Sequence, residues 1–341
     1  AAAEAGLPLS PAAVATLAAQ SPPMPVPWPA EARDALVALL GAGRAAVPVW
    51  EELDQAGVIV RLIPDWERVR HRPQRNPVHR YTVDRHLIET AAGAASFTRE
   101  VSRPDLLLLA ALLHDIGKGW PGDHSATGEI VARDIGARMG LPPADVEVLA
   151  TVVRHHLLLP ETATRRDLDD PVTIKRVADA VGSREVLELL AALAVADGHA
   201  TGPAAWNSWK AGLVADLVRR VRSVLSGTPP PPAPTLSPEQ AALARHGGGA
   251  VRVVGGQVTV VAPDRPGLLW RAAGVLAAHR LVVRSASAAS AGSTAVIEFS
   301  VVPEYGSPPD PATLEAARVG LGDRDRRQRR RPLPEAARPV R

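Results

Sequence analysis

The run LLLLAALLHDIGKG (106–119) carries the reading of this 341-residue chain. Its first eight residues are apolar all round, with neither a helical stripe nor a strand alternation. A helix of that composition has to be enclosed on every side by other elements. It runs straight into His114 and Asp115, an ionisable pair whose burial is costly unless something compensates it. Gly117 then lets the chain turn, and Lys118 stands where it can face a phosphate at the mouth.

Outward from that run, the flanking sequence supplies the helices that would enclose it. Apolar periodicity predicts a helix beginning near Thr82 and carrying His86, then helices over 128–139, 145–157, 173–181, 184–195 and 206–225, with a short one at 33–40. No strand alternation interrupts them, so this part reads as an all-α domain. The period changes after Gln257. Strands are expected at 258–261, 281–288 and 294–302, and helices at 268–278 and 311–319. That βαββα order is ferredoxin-like without its last strand, hence a small and incomplete α+β domain. Five prolines in PPMPVPWP (22–29) and five in PPPPAP (229–234) read as extended spacers. The expected organisation is a Pro/Ala-rich segment over 1–49, a helical domain over 50–226, a Pro/Gly-rich linker over 227–255, the α+β domain over 256–320 and an Arg-rich disordered tail over 321–341.

Composition excludes several classes. Apolar residues at 46 % and charged ones at 22 % are those of a globular chain. The absence of cysteine excludes disulfides, thiolate zinc sites and Cys nucleophiles. Eight Arg against three carboxylates over 323–341 leave a net −2 for the rest of a chain whose total is +3, so no folded basic face for nucleic acid is indicated. The longest good apolar run, 106–113, is well short of a transmembrane helix of ~18–20 residues. The first twenty residues lack the positive n-region of a signal peptide, and the chain reads as soluble and cytoplasmic, with no membrane partner. Only Lys118, Lys175 and Lys210 are Lys among 39 basic residues, a hint that a compact ammonium is wanted at those places.

Two adjacent ligands do not make a site. Further candidates are His86 on the preceding helix, His124 in GDHSATG, the pair His155 and His156 at a helix end, and Asp197 at the end of another helix. Ligands placed where helices stop can be aimed at one point. His86, His114, Asp115 and Asp197 could hold one divalent metal, and His124, His155 and His156 a second, with Asp115 bridging. Imidazole and carboxylate are good ligands for Mn²⁺, Fe²⁺, Zn²⁺ or Mg²⁺, and Mn²⁺ or Mg²⁺ is the expected ion, with Fe²⁺ and Zn²⁺ as alternatives. Two such ions are suited to activating water and clamping a phosphodiester. His71, His79, His246 and His279 read as structural or solvated.

This ordered set resembles the HD superfamily of metal-dependent phosphohydrolases. More narrowly, the chain resembles the bacterial PII uridylyltransferase/uridylyl-removing family. RPQRNPVHRYTVDRHLIET (72–90), LLHDIGKGWPGDHS (112–125), VRHHLLLPETATRRDLDDPVTIKRVA (153–178) and WNSWK (206–210) carry that likeness, and DRPGLL (264–269) resembles the first loop of an ACT domain. The resemblance implies metal ligation by His86, His114, Asp115 and Asp197, a second-metal role for His124, His155 and His156, a phosphate-side role for Lys118, and catalysis centred on Asp115 and Lys118. It implies hydrolysis of a nucleotidyl–tyrosine phosphodiester on a PII signal protein, releasing UMP, or AMP as in high-GC actinobacterial relatives. It also implies glutamine sensing at Asp264, Arg265, Pro266, Gly267, Leu268 and Leu269. The family begins with a nucleotidyltransferase domain and ends with two ACT domains. Residues 1–50 offer only Glu4, Glu31 and Asp34 as acidic groups before the matched region, so the chain reads as a fragment or shortened relative without transferase activity of its own. The alternatives are an HD hydrolase of a free nucleotide such as guanosine tetraphosphate, and a non-catalytic amino-acid-binding regulatory module.

Overall fold

In the computed structural model, residues 1–305 are described except 75, 77, 229–237, 246–248 and 266. His246, the expected helix at 311–319 and the Arg-rich stretch at 321–341 lie outside the described residues. The chain divides into two units, 1–231 and 232–341.

The first unit is helical. In order it contains α1 (Pro11–Gln20), α2 (Ala30–Gly41), α3 (Ala46–Gln55), α4 (Val58–Leu62), α5 (Val83–Ala94), α6 (Pro104–Leu113), α7 (His124–Arg138), α8 (Pro143–Arg154), α9 (Leu158–Arg165), α10 (Pro171–Val181), α11 (Arg184–Thr201) and α12 (Ser208–Leu225). A 3₁₀ turn, Ile116–Gly119, follows α6 almost at once. The apolar run is α6, and every residue from Leu106 to Leu113 is buried. Helices α2, α5, α8 and α11 surround it. Each Leu so enclosed contributes roughly 1.5–3 kcal/mol through burial, which is why the centre of the unit is built on this helix.

Local chemistry sets the helix ends. The side chains of Asp123, Asp170, Ser183 and Asn207 accept from the first-turn N–H groups of α7, α10, α11 and α12. Pro104 opens α6 and Pro143 lies in the first turn of α8, where a missing N–H costs nothing. Several helices differ from the sequence expectation. Helices α1, α3, α4 and α9 are not among the expected ones, and α7 begins at His124 rather than 128 because Asp123 supplies its cap. Trp28 and Leu40, from the stretch read as a separate Pro/Ala-rich segment, are buried in the same core as α6.

The second unit is a small α+β fold of α13 (Pro238–Arg245), β1 (Ala250–Val254), β2 (Gln257–Pro263), α14 (Leu268–Ala278), β3 (Leu281–Ala291) and β4 (Thr294–Pro303). The strands form one antiparallel sheet in the order β1-β2-β4-β3. Alternate residues take opposite faces. Val258, Val260, Ile297 and Phe299 share a core with Leu268, Ala272 and Leu276 of α14, whereas Val261 and Val296 meet Ala244 of α13. Strand β1 and helix α13 both fall within 227–255, the stretch read from composition as linker. The hairpin turn at Gly255 and Gly256, both with positive φ, pairs β1 with β2 and adds a fourth strand to the expected three.

Candidate metal centre

The 3₁₀ turn brings the His114–Asp115 pair to the end of α6 and holds it under three other helices. Helix α5 presents His86 from its first turn, α7 presents His124 from its first residue, and α11 presents Asp197 from its last turns. His156 lies two residues past the end of α8. The turn can lie this close to α7 because two glycines meet there. A Cβ on Gly117 would stand 2.0 Å from the His124 carbonyl oxygen and 2.5 Å from the Gly128 nitrogen.

Donor atoms converge on one place. His86 Nε2 is 3.2 Å from His114 Nε2 and 3.0 Å from Asp197 Oδ1. Asp115 Oδ2 lies 3.5 Å from His114 Nε2 and 3.8 Å from His86 Nε2. The other carboxylate oxygen, Oδ1, turns to a different pair, 3.6 Å from both His124 Nε2 and His156 Nε2. The two oxygens of Asp115 thus serve two groups of ligands. Lys118 Nζ sits 2.5 Å from Asp115 Oδ2 and donates to Gln74 Oε1 at 2.9 Å.

The imidazoles are oriented by backbone. His114 Nδ1 lies 2.9 Å from the Ala111 carbonyl and His156 Nδ1 lies 2.7 Å from that of Val153. A carbonyl accepts only, so each Nδ1 carries the proton and each Nε2 turns a lone pair into the cluster. Thr201 donates to Asp197 Oδ1 at 3.1 Å, fixing that carboxylate. Electrostatics agree with this protonation. Burial pushes His114 down to about 4, against the pull of Asp115 and Asp197. Burial also lowers His124. For Asp115 burial alone would raise the carboxyl, but His114, Lys118, His156 and His86 override it and hold it well below the usual carboxylate range. Asp197 is likewise lowered, its burial outweighed by the hydrogen bond to His86 and the nearness of His114.

The donor set fits a divalent cation. His86, His114 and Asp115 form one group, and Asp115, His124 and His156 another, with ligand atoms in each within 4.8 Å of one another. The buried His156 Nε2 has no hydrogen-bond partner, a costly state for a polar atom that a cation would relieve. Neutral imidazole and carboxylate at this spacing suit several divalent ions, and nothing in the geometry selects one.

The structure brings together His86, His114, Asp115, Asp197, His124, His156 and Lys118. It does not bring in His155, whose half-buried ring lies beside Arg154 and Glu129. His155, the C-cap residue of α8, belongs to neither ligand group and does not line the cleft, whereas His156 does both. The cluster opens into a cleft of about 850 Å³ lined by Gln74, His79, Lys118, Trp120, Thr201 and Lys210, among others. His79, read as structural or solvated, lines this cleft with its ring 5.7 Å from that of His86, and burial with Lys118 nearby lowers its pKa. In the second unit, Gly267 has φ +80° and precedes α14, with the Leu268 N–H donating to the Arg265 carbonyl. Leu269 is 47 % exposed, and Pro266 lies outside the described residues.

This arrangement is that of an HD-domain protein, and an HD domain model matches residues 83–198 while an ACT domain model matches 256–318. The HD domain is a metal-dependent fold of hydrolase type. The chain is 53 % identical over 369 aligned positions to the bifunctional uridylyltransferase/uridylyl-removing enzyme of Streptomyces coelicolor, covering 93 % of this chain and 44 % of that relative. It is 47 % identical to the enzyme of the same name from Mycobacterium tuberculosis, covering 95 % of this chain and 41 % of the relative. With the Corynebacterium glutamicum enzyme it shares 37 % identity over 70 % of this chain and 34 % of the relative. The chain belongs to the family of these bifunctional enzymes and spans less than half the length of the relatives it matches. Among the described residues, no helix is long and apolar enough to cross a membrane.

Proposed function

We propose that the helical unit is a metal-dependent phosphodiesterase that removes a nucleotidyl group, UMP or AMP, from a tyrosine of a PII-type signal protein. The observation that carries this reading is the split of Asp115, one oxygen toward His86 and His114 and the other toward His124 and His156. Asp115 would bridge two divalent ions, with Asp197 completing the first group. Such ions, when bound, supply Lewis acidity at a phosphoryl oxygen and a water acidic enough to attack at neutral pH.

The chain's own residues do the rest. The Ala111 and Val153 carbonyls hold His114 and His156 in the tautomer that leaves Nε2 unprotonated. Lys118 lines the cleft beside the cluster and can turn its ammonium from Gln74 to a phosphoryl oxygen as negative charge builds there. A tyrosinate is a good leaving group, because its conjugate acid has a pKa of about 10. The relatives are named for uridylyl removal as well as transfer, which supports this direction of reaction. The ACT unit would sense glutamine at 264–269, where Gly267 opens α14.

The test is direct. The protein is incubated with Mn²⁺ and uridylylated or adenylylated PII, and the released nucleotide is identified with and without glutamine. Release of UMP or AMP at a glutamine-dependent rate is expected. Pyrophosphate released from guanosine tetraphosphate, with modified PII left intact, would replace this reading with that of a free-nucleotide hydrolase.

A further inference from the structure

The cleft beside the cluster is much larger than a water needs, and one part of its wall differs from the rest. Trp120, Pro121 and Gly122 form that part, immediately after the turn that carries Lys118. Two indoles line the cleft among the described residues. Trp206 is 8 % exposed, its ring set against Gly198 and edge-on to His199, so it has no face to offer. Trp120 is half-buried and packs partly on the core. The Arg68 guanidinium lies over its ring, 4.8 Å from the centroid. Gly119 permits that approach, since a Cβ there would stand 2.7 Å from Arg68 Cβ. Cation–π attraction holds the ring in place.

We infer that Trp120 is a stacking platform for the base of a nucleotide whose phosphate lies at Lys118, so that the cleft selects nucleotidyl esters over other phosphodiesters. The inference rests on the phosphodiesterase reading of the site and deepens it. Trp120 follows Lys118 by two residues, which keeps their Cα atoms within about 7 Å of each other, and both side chains line the same cleft, where one nucleotide can meet both. Every base has a π-face, so stacking selects for a nucleotide without choosing among bases. An indole held by a guanidinium gives such a surface with little freedom to lose on binding.

The experiment compares two esters with one leaving group in the presence of Mn²⁺. Uridine 5′-(p-nitrophenyl phosphate) has a base, and methyl p-nitrophenyl phosphate has none. The ratio of their kcat/KM values is measured for the wild-type protein, Trp120→Ala and Trp120→Phe. Trp120→Ala is expected to lower the ratio about tenfold, mainly through KM for the nucleotide ester, and Trp120→Phe to keep it within about threefold of wild type. An unchanged ratio in Trp120→Ala, or a Phe variant no better than Ala, overturns the inference. Failure of the wild-type protein to hydrolyse either ester counts against the phosphodiesterase reading, not against the platform. The platform is then decided by calorimetric titration with UMP and with ribose 5-phosphate in Mn²⁺. A preference for UMP that Trp120→Ala loses supports it, and equal wild-type affinity for the two overturns it.

Discussion

Asp115 is 3 % exposed and has a histidine or lysine nitrogen within 4 Å of each oxygen, so neither oxygen is spare. Asp115→Asn keeps the volume and removes the charge that would bridge two cations. It is expected to lower phosphodiesterase turnover at least ~10³-fold and to abolish Mn²⁺ binding by calorimetry, while the helical circular dichroism is retained. Near-normal turnover in that variant would take Asp115 out of the reaction. The two histidines past α8 give a sharper comparison. His156→Ala is expected to weaken Mn²⁺ binding about tenfold or more, and His155→Ala to leave it within twofold. Equal effects would mean that the cap of α8 orients both rings alike. At this scale the sequence is legible where residue types are rare in their setting. His114 and Asp115 end an apolar run, and no other residue pair there can carry charge. Gln74, His79 and Thr201 were not legible, because each reaches the cleft through tertiary folding of a loop or helix end that ordinary polar residues also occupy.

Helices α6 and α8 are clamped at their starts and carry site residues at their ends. Arg103, which caps α6, pairs with both Asp105 and Asp145, the latter in the first turn of α8. The Arg103 hydrogen bond holds the Asp145 carboxyl below its usual range. A depressed carboxylate contributes stability above its unfolded pKa of about 4, and that contribution is lost as pH falls through the folded value. Asp145→Asn is therefore expected to lower Tm at neutral pH, with the gap from wild type closing as pH falls below about 4. A gap independent of pH would show that packing, not charge, accounts for the loss. The turn after α6 is tested by Gly117→Ala. The neighbours of that Cβ are backbone atoms of α7, which cannot swing aside. A cost at or above the ~1–3 kcal/mol of ordinary overpacking is expected, together with weaker Mn²⁺ binding, because His124 would be displaced from Asp115. Elements were legible where period and caps agreed. The interval 268–278 matches its expectation, since LLWRAAGVLAA begins after Gly267 and buries one stripe, Leu268, Ala272 and Leu276. Strand β1 was hidden because its apolar residues follow GGG and precede GG, a setting that reads as spacer until β2 pairs with it.

Across the molecule, the helical unit buries His86, His114, Asp115 and His156 together in one cluster, and that concentration would tie stability to metal supply. An ion that binds only the folded form adds ~2.7 kcal/mol at a hundredfold excess over Kd, or roughly 5–10 °C in Tm for a unit of this size. Mn²⁺ is expected to raise the first unfolding transition by that order and EDTA to reverse it, read by scanning calorimetry. A transition unmoved by both would mean that the cluster does not bind the ion. The architecture of both units was legible at the level of class, since an all-round apolar helix demands a helical shell and a strand alternation after Gln257 demands a sheet. The burial of Trp28 in the helical core was not legible, because a proline-rich approach looks the same whether it crosses solvent or lies against α7, where the Trp28 N–H donates to the Arg138 carbonyl.

His86 and Asp197 are 111 positions apart in the chain, yet their side chains lie 3.0 Å from each other. An ion gripping both closes a long loop, and such closures come after the local helices have formed. A contact that is absent from the folding transition state slows unfolding and leaves the rate of folding almost untouched. The metal is therefore expected to act as a late fastener, lengthening the lifetime of the native state against protease while refolding from denaturant proceeds at the same pace with or without it.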